Sequence, residues 1–195
     1  VLREAVRQLE AWQPIFGRDF KMSVNVSAIQ LRQDDFIDKL AVVLAERSIP
    51  SNCLVLEITE SALMTNAAMR LHWFDALKET GVEIAIDDFG TGYSSLSYLT
   101  RFPLDYLKVD RGFVSDLEQG LEGAAVTRAI FRMAEELGIG ITVEGVENER
   151  QLELIRDMGR CIVQGWLISK ALPAEELLAF VHSWQAPATL LQNRA

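Results

Sequence analysis

The alternation of two kinds of segment constrains the fold of this 195-residue chain more than any other feature. Short segments rich in β-branched and apolar residues are separated by longer segments with helical spacing. This alternation predicts an α/β fold in which a parallel sheet is covered by helices. The predicted strands are Ser23–Ser27, Leu54–Thr59, Glu83–Asp87, Tyr106–Asp110, Ile139–Val146 and Cys161–Ile168.

The longer segments carry apolar side chains at intervals of three and four residues, which predicts amphipathic helices. Two faces of this kind are Leu2, Val6, Leu9 and Trp12, and Phe36, Leu40, Val43 and Leu44. Further helices are expected over Asn66–Thr80, Gly123–Leu137, Glu149–Met158 and Ala174–Trp184. We interpret residues 1–186 as one domain and residues 187–195 as a frayed tail.

Polar side chains stand near the ends of the predicted strands, and their distribution separates two possible α/β folds. An open sheet gathers its ligand groups near one switch point, whereas a TIM-type barrel gathers them from all of its strands. Polar groups on all six segments favour the barrel, although a barrel has eight strands. These groups are Asn25, Glu57, Asp87 with Asp88, Lys108 with Asp110, Glu144 and Gln164.

The composition narrows the classes of function. A net charge of −9 disfavours binding to a DNA or RNA polymer, because an acidic surface repels phosphates. No apolar run is long enough to cross a membrane, and we therefore expect a cytoplasmic domain. Two cysteines, Cys53 and Cys161, begin apolar runs and are predicted to be buried, reduced thiols.

The acidic side chains at the strand ends predict a metal site. Carboxylates that converge at one end of a sheet need cations, and oxygen ligands suit Mg²⁺ or Mn²⁺. Glu57, Glu144 and the adjacent pair Asp87-Asp88 supply carboxylates, and Asn25 can add a neutral oxygen. Because neighbouring side chains diverge, the pair could serve two ions in a phosphoryl displacement. The alternative is that each acid is a helix cap or a solvated strand end.

Lys108 and Asp110 are two residues apart and therefore face the same side of a strand. A lysine among carboxylates can act as a counter-ion, orient a water molecule or donate a proton. A purely structural ion pair is the alternative. If Lys108 acts in chemistry, its removal should lower turnover and leave stability unchanged or higher, because an interior charge is lost.

A glycine-rich run follows the third strand and carries the most specific resemblance in the chain. Residues 87–96 read DDFGTGYSSL, which resembles the hallmark sequence of EAL domains. Further motifs stand in the order that this family has, so the resemblance covers nearly the whole chain. They are Asn25-Val26-Ser27, Glu57-Ile58-Thr59-Glu60-Ser61, Lys108-Val109-Asp110-Arg111, Glu144-Gly145-Val146-Glu147 and Gln164-Gly165.

The resemblance implies a modified (β/α)₈ barrel of the TIM type whose first strand is antiparallel. It also implies hydrolysis of cyclic di-GMP to linear pGpG with two Mg²⁺ or Mn²⁺ ions. The implied metal ligands are Asn25, Glu57, Asp87 and, for the second ion, Asp88, which would also contact the substrate.

The remaining site residues are also assigned by resemblance. Lys108 and Glu144 would position or activate water, with Asp110 nearby, and Gln164 would complete the substrate site. Glu60 is implied to brace the glycine-rich loop, and we place Glu147 with it as a loop-supporting residue. In the family that loop also contributes to a homodimer.

The chain departs from the family pattern before its first helix. The first two strands of the family fold, including the Glu-Ala-Leu strand with its metal-binding Glu and phosphate-binding Arg, do not appear in the sequence. We therefore expect the chain alone to be inactive and an opening to expose Val24, Val26, Ile162 and Trp166. Smaller differences near the last strand are Arg160-Cys161-Ile162, Trp166 and Ala171.

Two other functions remain open on the sequence alone. One is a catalytically inactive EAL-like domain that senses cyclic di-GMP or binds a protein. The other is an unrelated barrel aldolase or enolase-like enzyme with Lys108 as Schiff base or general base. Relatives of this kind often carry upstream sensor or GGDEF-type domains, some of them anchored in a membrane.

Overall fold

The computed structural model describes residues 1–64, 67–90 and 99–187. The chain forms two compact units, Val1–Lys108 and Val109–Ala195. The part of the glycine-rich run from Thr91 to Leu96 and the tail after residue 187 lie outside the described residues. The interpretation of residues 1–186 as one domain stays a prediction.

The first unit alternates helices and strands as the hydrophobic pattern predicts. Its strands follow one another in chain order, and β1 with β2 and β2 with β3 are parallel. The last residue of β4, Val109, belongs to the second unit. The elements are α1 (Leu2–Phe16), β1 (Met22–Asn25), α2 (Phe36–Ala45), β2 (Leu54–Thr59), α3 (Glu60–Met64), α4 (Ala67–Glu79), β3 (Glu83–Phe89) and β4 (Tyr106–Val109).

The core of the first unit forms where the apolar faces of helices meet the sheet. Val6 and Leu9 of α1 are fully buried, and α1 contacts both β1 and α2. The predicted face of α2 is buried throughout, which confirms its helical spacing. The expectation of four uncovered apolar residues is wrong for Val24 and Val26, which are buried. It is confirmed for Ile162 and Trp166, which are exposed. Val24 and Val26 are the chain neighbours of Asn25 and therefore project from the opposite face of the sheet.

Asp105 fixes the approach to β4. Its Oδ2 accepts a hydrogen bond from the backbone N–H of Ile84 at 2.7 Å, and both of its carboxylate oxygens lie within 2.9 Å of Lys78 Nζ. The Asp105 N–H in turn donates to the Ile84 carbonyl at 2.9 Å. This reciprocal pairing ties the residue before β4 to β3.

The second unit continues the alternation with shorter strands. Strands β5 and β6 are parallel, with Thr142 opposite Ile162 and Val143 opposite Val163. Both are shorter than predicted because the chain turns at Gly145 and Gly165, where backbone groups bond across the turns. The elements are α5 (Arg111–Asp116), α6 (Leu121–Leu137), β5 (Gly140–Val143), α7 (Glu149–Arg156), β6 (Ile162–Val163) and α8 (Leu177–Ser183).

Both cysteines are free thiols, as the sequence predicts, but only Cys53 is buried and Cys161 is partly exposed. Burial raises the pKa of the Cys161 thiol to about 11, and burial also raises the pKa of Cys53. A thiolate is the nucleophilic form of cysteine, and neither thiol would supply much of it near neutral pH. The cysteines therefore do not point to nucleophilic catalysis.

The longest described helix, α6, has 17 residues. Within the three described ranges, no helix is both long enough and apolar enough to cross a membrane.

Thr127 of α6 is an orphaned polar group, and its replacement by valine is expected to stabilise the protein. The residue is fully buried, and its Oγ1 has no hydrogen-bond partner among the residues that the structure describes. An unpaired buried hydroxyl is unfavourable, so Thr127→Val should raise the free energy of unfolding by about 1 kcal/mol in urea titrations. Thr80→Val is the matched control, because the Thr80 hydroxyl donates to the Leu77 carbonyl. Equal effects of the two substitutions would contradict this interpretation.

Candidate active site

Three charged side chains meet on one face of the sheet in the first unit. Lys108 Nζ of β4 lies 2.7 Å from Glu57 Oε2 of β2 and 3.0 Å from Asp87 Oδ1 of β3. Lys108 and Glu57 are only 5% and 7% exposed, so these ion pairs are largely shielded from water. The structure therefore brings together three of the residues that the sequence singled out.

The strand register explains why these side chains share a face. Asn25 lies opposite Glu57, and Thr59 lies opposite Asp87. Register partners on neighbouring strands project to the same side, and so do residues two apart on one strand. Asn25, Glu57 and Asp87 therefore project from one face, while the alternating residues are apolar and buried on the other. The alternating residues of β2 and β3 include Leu56, Ile58, Ile84 and Ile86, which are all fully buried.

The charges of the cluster sum to −1, because one ammonium group faces two carboxylates. Buried charges are tolerated when they are paired and hydrogen-bonded, and each carboxylate here has Lys108 as a partner. The surplus negative charge and the oxygen donors suit a further cation or a polarised water molecule. An anionic ligand would be repelled by this surplus charge unless a cation bound with it.

The donor set is compatible in kind with a hard divalent cation. Glu57 and Asp87 offer carboxylate oxygens, and Asn25 offers an amide oxygen on the same face. Among the residues the structure describes, no group of three or more Asp, Glu, His or Cys side chains is gathered closely enough to hold a metal ion. The number of metal ions and the complete ligand set therefore stay predictions.

The glycine-rich loop begins directly after Asp87 in the chain, and a buried acid, Glu60, binds its backbone. Asp88 has a positive φ of 54°, unusual for a residue other than glycine, and its N–H donates to Asp87 Oδ1 at 3.0 Å. Gly90 donates its N–H to Glu60 Oε2 at 2.9 Å, and Glu60 is only 3% exposed. Glu60 thus contacts the backbone of the loop where the described part ends. Unusual backbone geometry of this kind is common at functional sites.

In the second unit, Asp110 caps a helix. Its Oδ1 accepts a hydrogen bond from the N–H of Gly112 at 2.8 Å, which satisfies one of the free donors at the start of α5. This contact gives Asp110 a structural role, which its position at the end of a predicted strand did not indicate. The catalytic assignment of Asp110 stays a prediction.

Glu144 and Gln164 follow the two strands of the second unit. The N–H of Glu144 donates to the Val109 carbonyl at 3.0 Å, and the N–H of Gln164 donates to the Val143 carbonyl at 2.8 Å. The Val146 N–H then donates to the Gln164 carbonyl at 3.2 Å. The backbone just after Glu144 is therefore hydrogen-bonded to the backbone of Gln164.

Two groups that the sequence analysis did not single out also carry polar contacts. Gln151 is buried and binds the backbone N–H of Glu147, whose own side chain is exposed. Lys21 contacts Glu83 and donates to Tyr106 Oη at 2.8 Å. Gln151 could have been found from the sequence, because a helix N-cap followed three residues later by Gln or Glu indicates a capping box. The contacts of Lys21 could not have been predicted from a sequence motif, since its partners come from distant segments.

The fold and the site define a class: an α/β domain of the TIM-barrel type, with carboxylates and a lysine projecting from the sheet toward the ends of parallel strands. A family model described as "EAL domain" matches residues 1–171. The chain belongs to the EAL domain family.

Curated relatives share a large fraction of the sequence. The chain is 41% identical over 181 residues to the bifunctional diguanylate cyclase/cyclic di-GMP phosphodiesterase MucR of Pseudomonas aeruginosa, covering 93% of this chain and 26% of MucR. It is 38% identical over 188 residues to the cyclic di-GMP phosphodiesterase NbdA of the same organism, covering 96% of this chain and 24% of NbdA. The chain thus spans about a quarter of the length of these relatives.

Solved structures agree with this family membership. The structure of PaMucR phosphodiesterase in complex with c-di-GMP gives a TM-score of 0.85 at 40% identity, covering 90% of this chain and 71% of that chain. The EAL domain of Mycobacterium smegmatis DcpA gives a TM-score of 0.87 at 35% identity, covering 95% of this chain and 84% of that chain. The predicted fold class and family are confirmed.

Proposed function

We propose that this chain is part of a phosphodiesterase that hydrolyses cyclic di-GMP to linear pGpG. The observation that carries the proposal is the convergence of Glu57, Asp87 and Lys108 on one face of the sheet in a member of the EAL family. Two relatives have printed names that include cyclic di-GMP phosphodiesterase, and one neighbouring structure is a c-di-GMP complex. The activity is assigned to the intact domain, meaning this chain together with any residues that precede it in its natural polypeptide.

The proposed reaction is the attack of one water molecule on one phosphorus atom of the cyclic dinucleotide. The new P–O bond forms while the P–O3′ bond breaks, which leaves a 5′-phosphate and a free 3′-hydroxyl. In this scheme Glu144 accepts the proton from water, and Lys108 orients the water and stabilises the developing negative charge. The released 3′-oxygen takes up a proton, so the sum is hydrolysis alone.

Other residues would bind the substrate and the metal ions. Asn25, Glu57 and Asp87 would hold Mg²⁺ or Mn²⁺, with Asp88 at a second ion. Bound ions would neutralise the phosphate charge and lower the pKa of water, as in other two-metal phosphodiesterases. Gln164 would contact the substrate, and Glu60 would keep the glycine-rich loop in place through Gly90.

The wider setting is also part of the proposal. We infer a cytoplasmic domain, because cyclic di-GMP is a polar intracellular signal, and a homodimer that uses the glycine-rich loop region. Upstream sensor or GGDEF-type domains would regulate it, as the name of the bifunctional relative MucR suggests. The inactive sensor remains the competing function and makes a different prediction, which is binding without turnover.

The proposal is tested by incubating the purified intact domain with cyclic di-GMP and Mg²⁺ or Mn²⁺. We expect pGpG to accumulate, and we expect EDTA to stop the reaction and excess Mn²⁺ to restore it. Cyclic GMP and a DNA oligonucleotide serve as control substrates that should remain intact. Tight binding of cyclic di-GMP with no pGpG formed would contradict the enzyme function and support the inactive sensor.

A further inference from the structure

We propose that Gln151 is a positioning residue for the loop that carries Glu144. The proposal rests on the proposed function, because it takes Glu144 as the group that receives the proton from water. Gln151 lies on α7 and is 5% exposed, yet its side chain is polar. A buried amide needs hydrogen-bond partners, and the identity of those partners shows what the side chain does.

The partners of Gln151 connect α7 to the loop of residues 144–147. Its Oε1 accepts a hydrogen bond from the N–H of Glu147 at 2.8 Å, and its Nε2 donates to Glu118 Oε2 at 3.3 Å. A carboxylate can only accept, so Glu118 takes the donor end of the amide and leaves the acceptor end facing Glu147. The orientation of the Gln151 amide is therefore determined by Glu118.

Two further hydrogen bonds that attach this loop join backbone groups. Glu144 donates its N–H to the Val109 carbonyl and Val146 donates its N–H to the Gln164 carbonyl, at 3.0 and 3.2 Å. Gly145 has a positive φ of 70° and packs against Arg111 so closely that a Cβ would come within 2.4 Å of the Arg111 Cβ. The hydrogen bond from the Glu147 N–H is instead accepted by a side chain, that of Gln151, so a substitution can remove it without changing the backbone.

Glu147 and Glu144 are close in the chain, so a shift of the Glu147 backbone would also displace the Glu144 carboxylate. Only Gly145 and Val146 separate the two, and the turn at Gly145 leaves little space for rearrangement. A catalytic carboxylate displaced by about 1 Å can lose a factor of up to 10² in rate. Gln151 should therefore influence kcat, whereas it has no reason to change the affinity for substrate.

The alternative is that Gln151 only caps α7. Asn148 Oδ1 accepts the N–H of Gln151 at 2.9 Å, so Asn148 and Gln151 together form a cap at the start of α7. In a conventional capping box the side chain three residues into the helix returns to the N–H of the cap residue itself. Gln151 reaches one residue further back, to Glu147, and this places the hydrogen bond in the loop.

The experiment compares three variants of the intact domain by amide hydrogen exchange and by steady-state kinetics. Gln151→Met keeps the length of the side chain and removes the acceptor. The double variant Glu118→Gln/Gln151→Glu exchanges donor and acceptor and keeps an acceptor for Glu147. Asn148→Ala is the matched control, since it removes the cap and leaves the Glu147–Gln151 hydrogen bond in place.

We expect Gln151→Met to speed exchange of the Glu147 amide by at least about 10-fold. We also expect it to lower kcat by about 10-fold while KM stays within about 3-fold. The double variant should restore both quantities to within about 3-fold of the wild type, and Asn148→Ala should leave kcat within the same range.

Three outcomes would overturn the proposal: unchanged exchange at Glu147 in Gln151→Met, faster exchange with unchanged kcat, or an equal loss of kcat in Asn148→Ala. A wild-type domain that forms no pGpG would instead overturn the proposed function and with it the catalytic part of this inference. The exchange of the Glu147 amide would still decide whether Gln151 holds the loop.

Discussion

Replacing Lys108 with methionine in the intact domain is expected to lower kcat for cyclic di-GMP hydrolysis by at least about 10²-fold. The ammonium group lies between Glu57 and Asp87, at 2.7 and 3.0 Å, on the face where the reaction is proposed. Methionine has a similar length and no charge, so it removes the positive charge and the hydrogen bonds together. Steady-state rates of pGpG formation measure the effect.

The same substitution is expected to destabilise the protein, whereas the sequence alone suggested unchanged or higher stability. The reason lies in the partners of Lys108, because its removal leaves two carboxylates facing each other without a counter-charge. Their side chains are only 9% and 13% exposed. Breaking a buried ion pair costs about 3–5 kcal/mol, and we expect about 2–4 kcal/mol here because the carboxylates retain some contact with water.

Lys78→Met is the matched control for Lys108→Met. Lys78 also pairs with an acid, Asp105, but away from the proposed site and with about a third of its side chain exposed. This variant should lose some stability and keep kcat. Full activity in Lys108→Met together with a large loss of stability would make Lys108 a structural ion-pair partner and would contradict the proposed role.

Gly165→Ala is expected to destabilise the second unit strongly. A Cβ at this position would lie 2.2 Å from the Val146 carbonyl oxygen and 2.3 Å from the Val146 nitrogen. These are backbone atoms, so no side chain can rotate away, and the loop after β5 or the turn after β6 must move. We expect a loss of at least about 3 kcal/mol in the free energy of unfolding by urea titration.

Gly138→Ala separates this collision from the ordinary cost of replacing a glycine. Gly138 ends α6 in the left-handed conformation, with φ of 68°, and a Cβ there would meet nothing within 4 Å. Its substitution should cost only the backbone strain, about 1 kcal/mol. If Gly165→Ala were no worse than Gly138→Ala, the close packing of the two turns would be contradicted.

Elements whose apolar residues have a clear period could be predicted from the sequence. The strand Leu54–Thr59 has the bounds that its pattern predicts, and the helix predicted over Glu149–Met158 ends two residues earlier, at Arg156. The gathering of Glu57, Asp87 and Lys108 follows from two rules: side chains alternate along each strand, and strands that follow one another in the sequence usually lie side by side. A period of two places polar residues on one face before any coordinate is known.

What could not be predicted depends on contacts between distant or irregular segments. The predicted last strand, Cys161–Ile168, shortens to Ile162–Val163 because Gly165 packs on the backbone of Val146, a contact that no local pattern records. Asp110 both follows a strand and caps a helix, and for this residue the sequence analysis considered only its position after the strand. Gln151 was overlooked because a glutamine on a helix is usually solvent-exposed.

The rate of pGpG formation by Asp87→Asn in the intact domain, measured beside the wild type with saturating Mg²⁺ or Mn²⁺, tests the central claim most directly. The amide keeps the shape of the side chain and removes the charge that pairs with Lys108 and would bind the metal. We predict that the wild type forms pGpG and that Asp87→Asn is slower by at least about 10²-fold with its fold retained. A rate for Asp87→Asn close to that of the wild type would contradict the assignment of this face of the sheet as the active site.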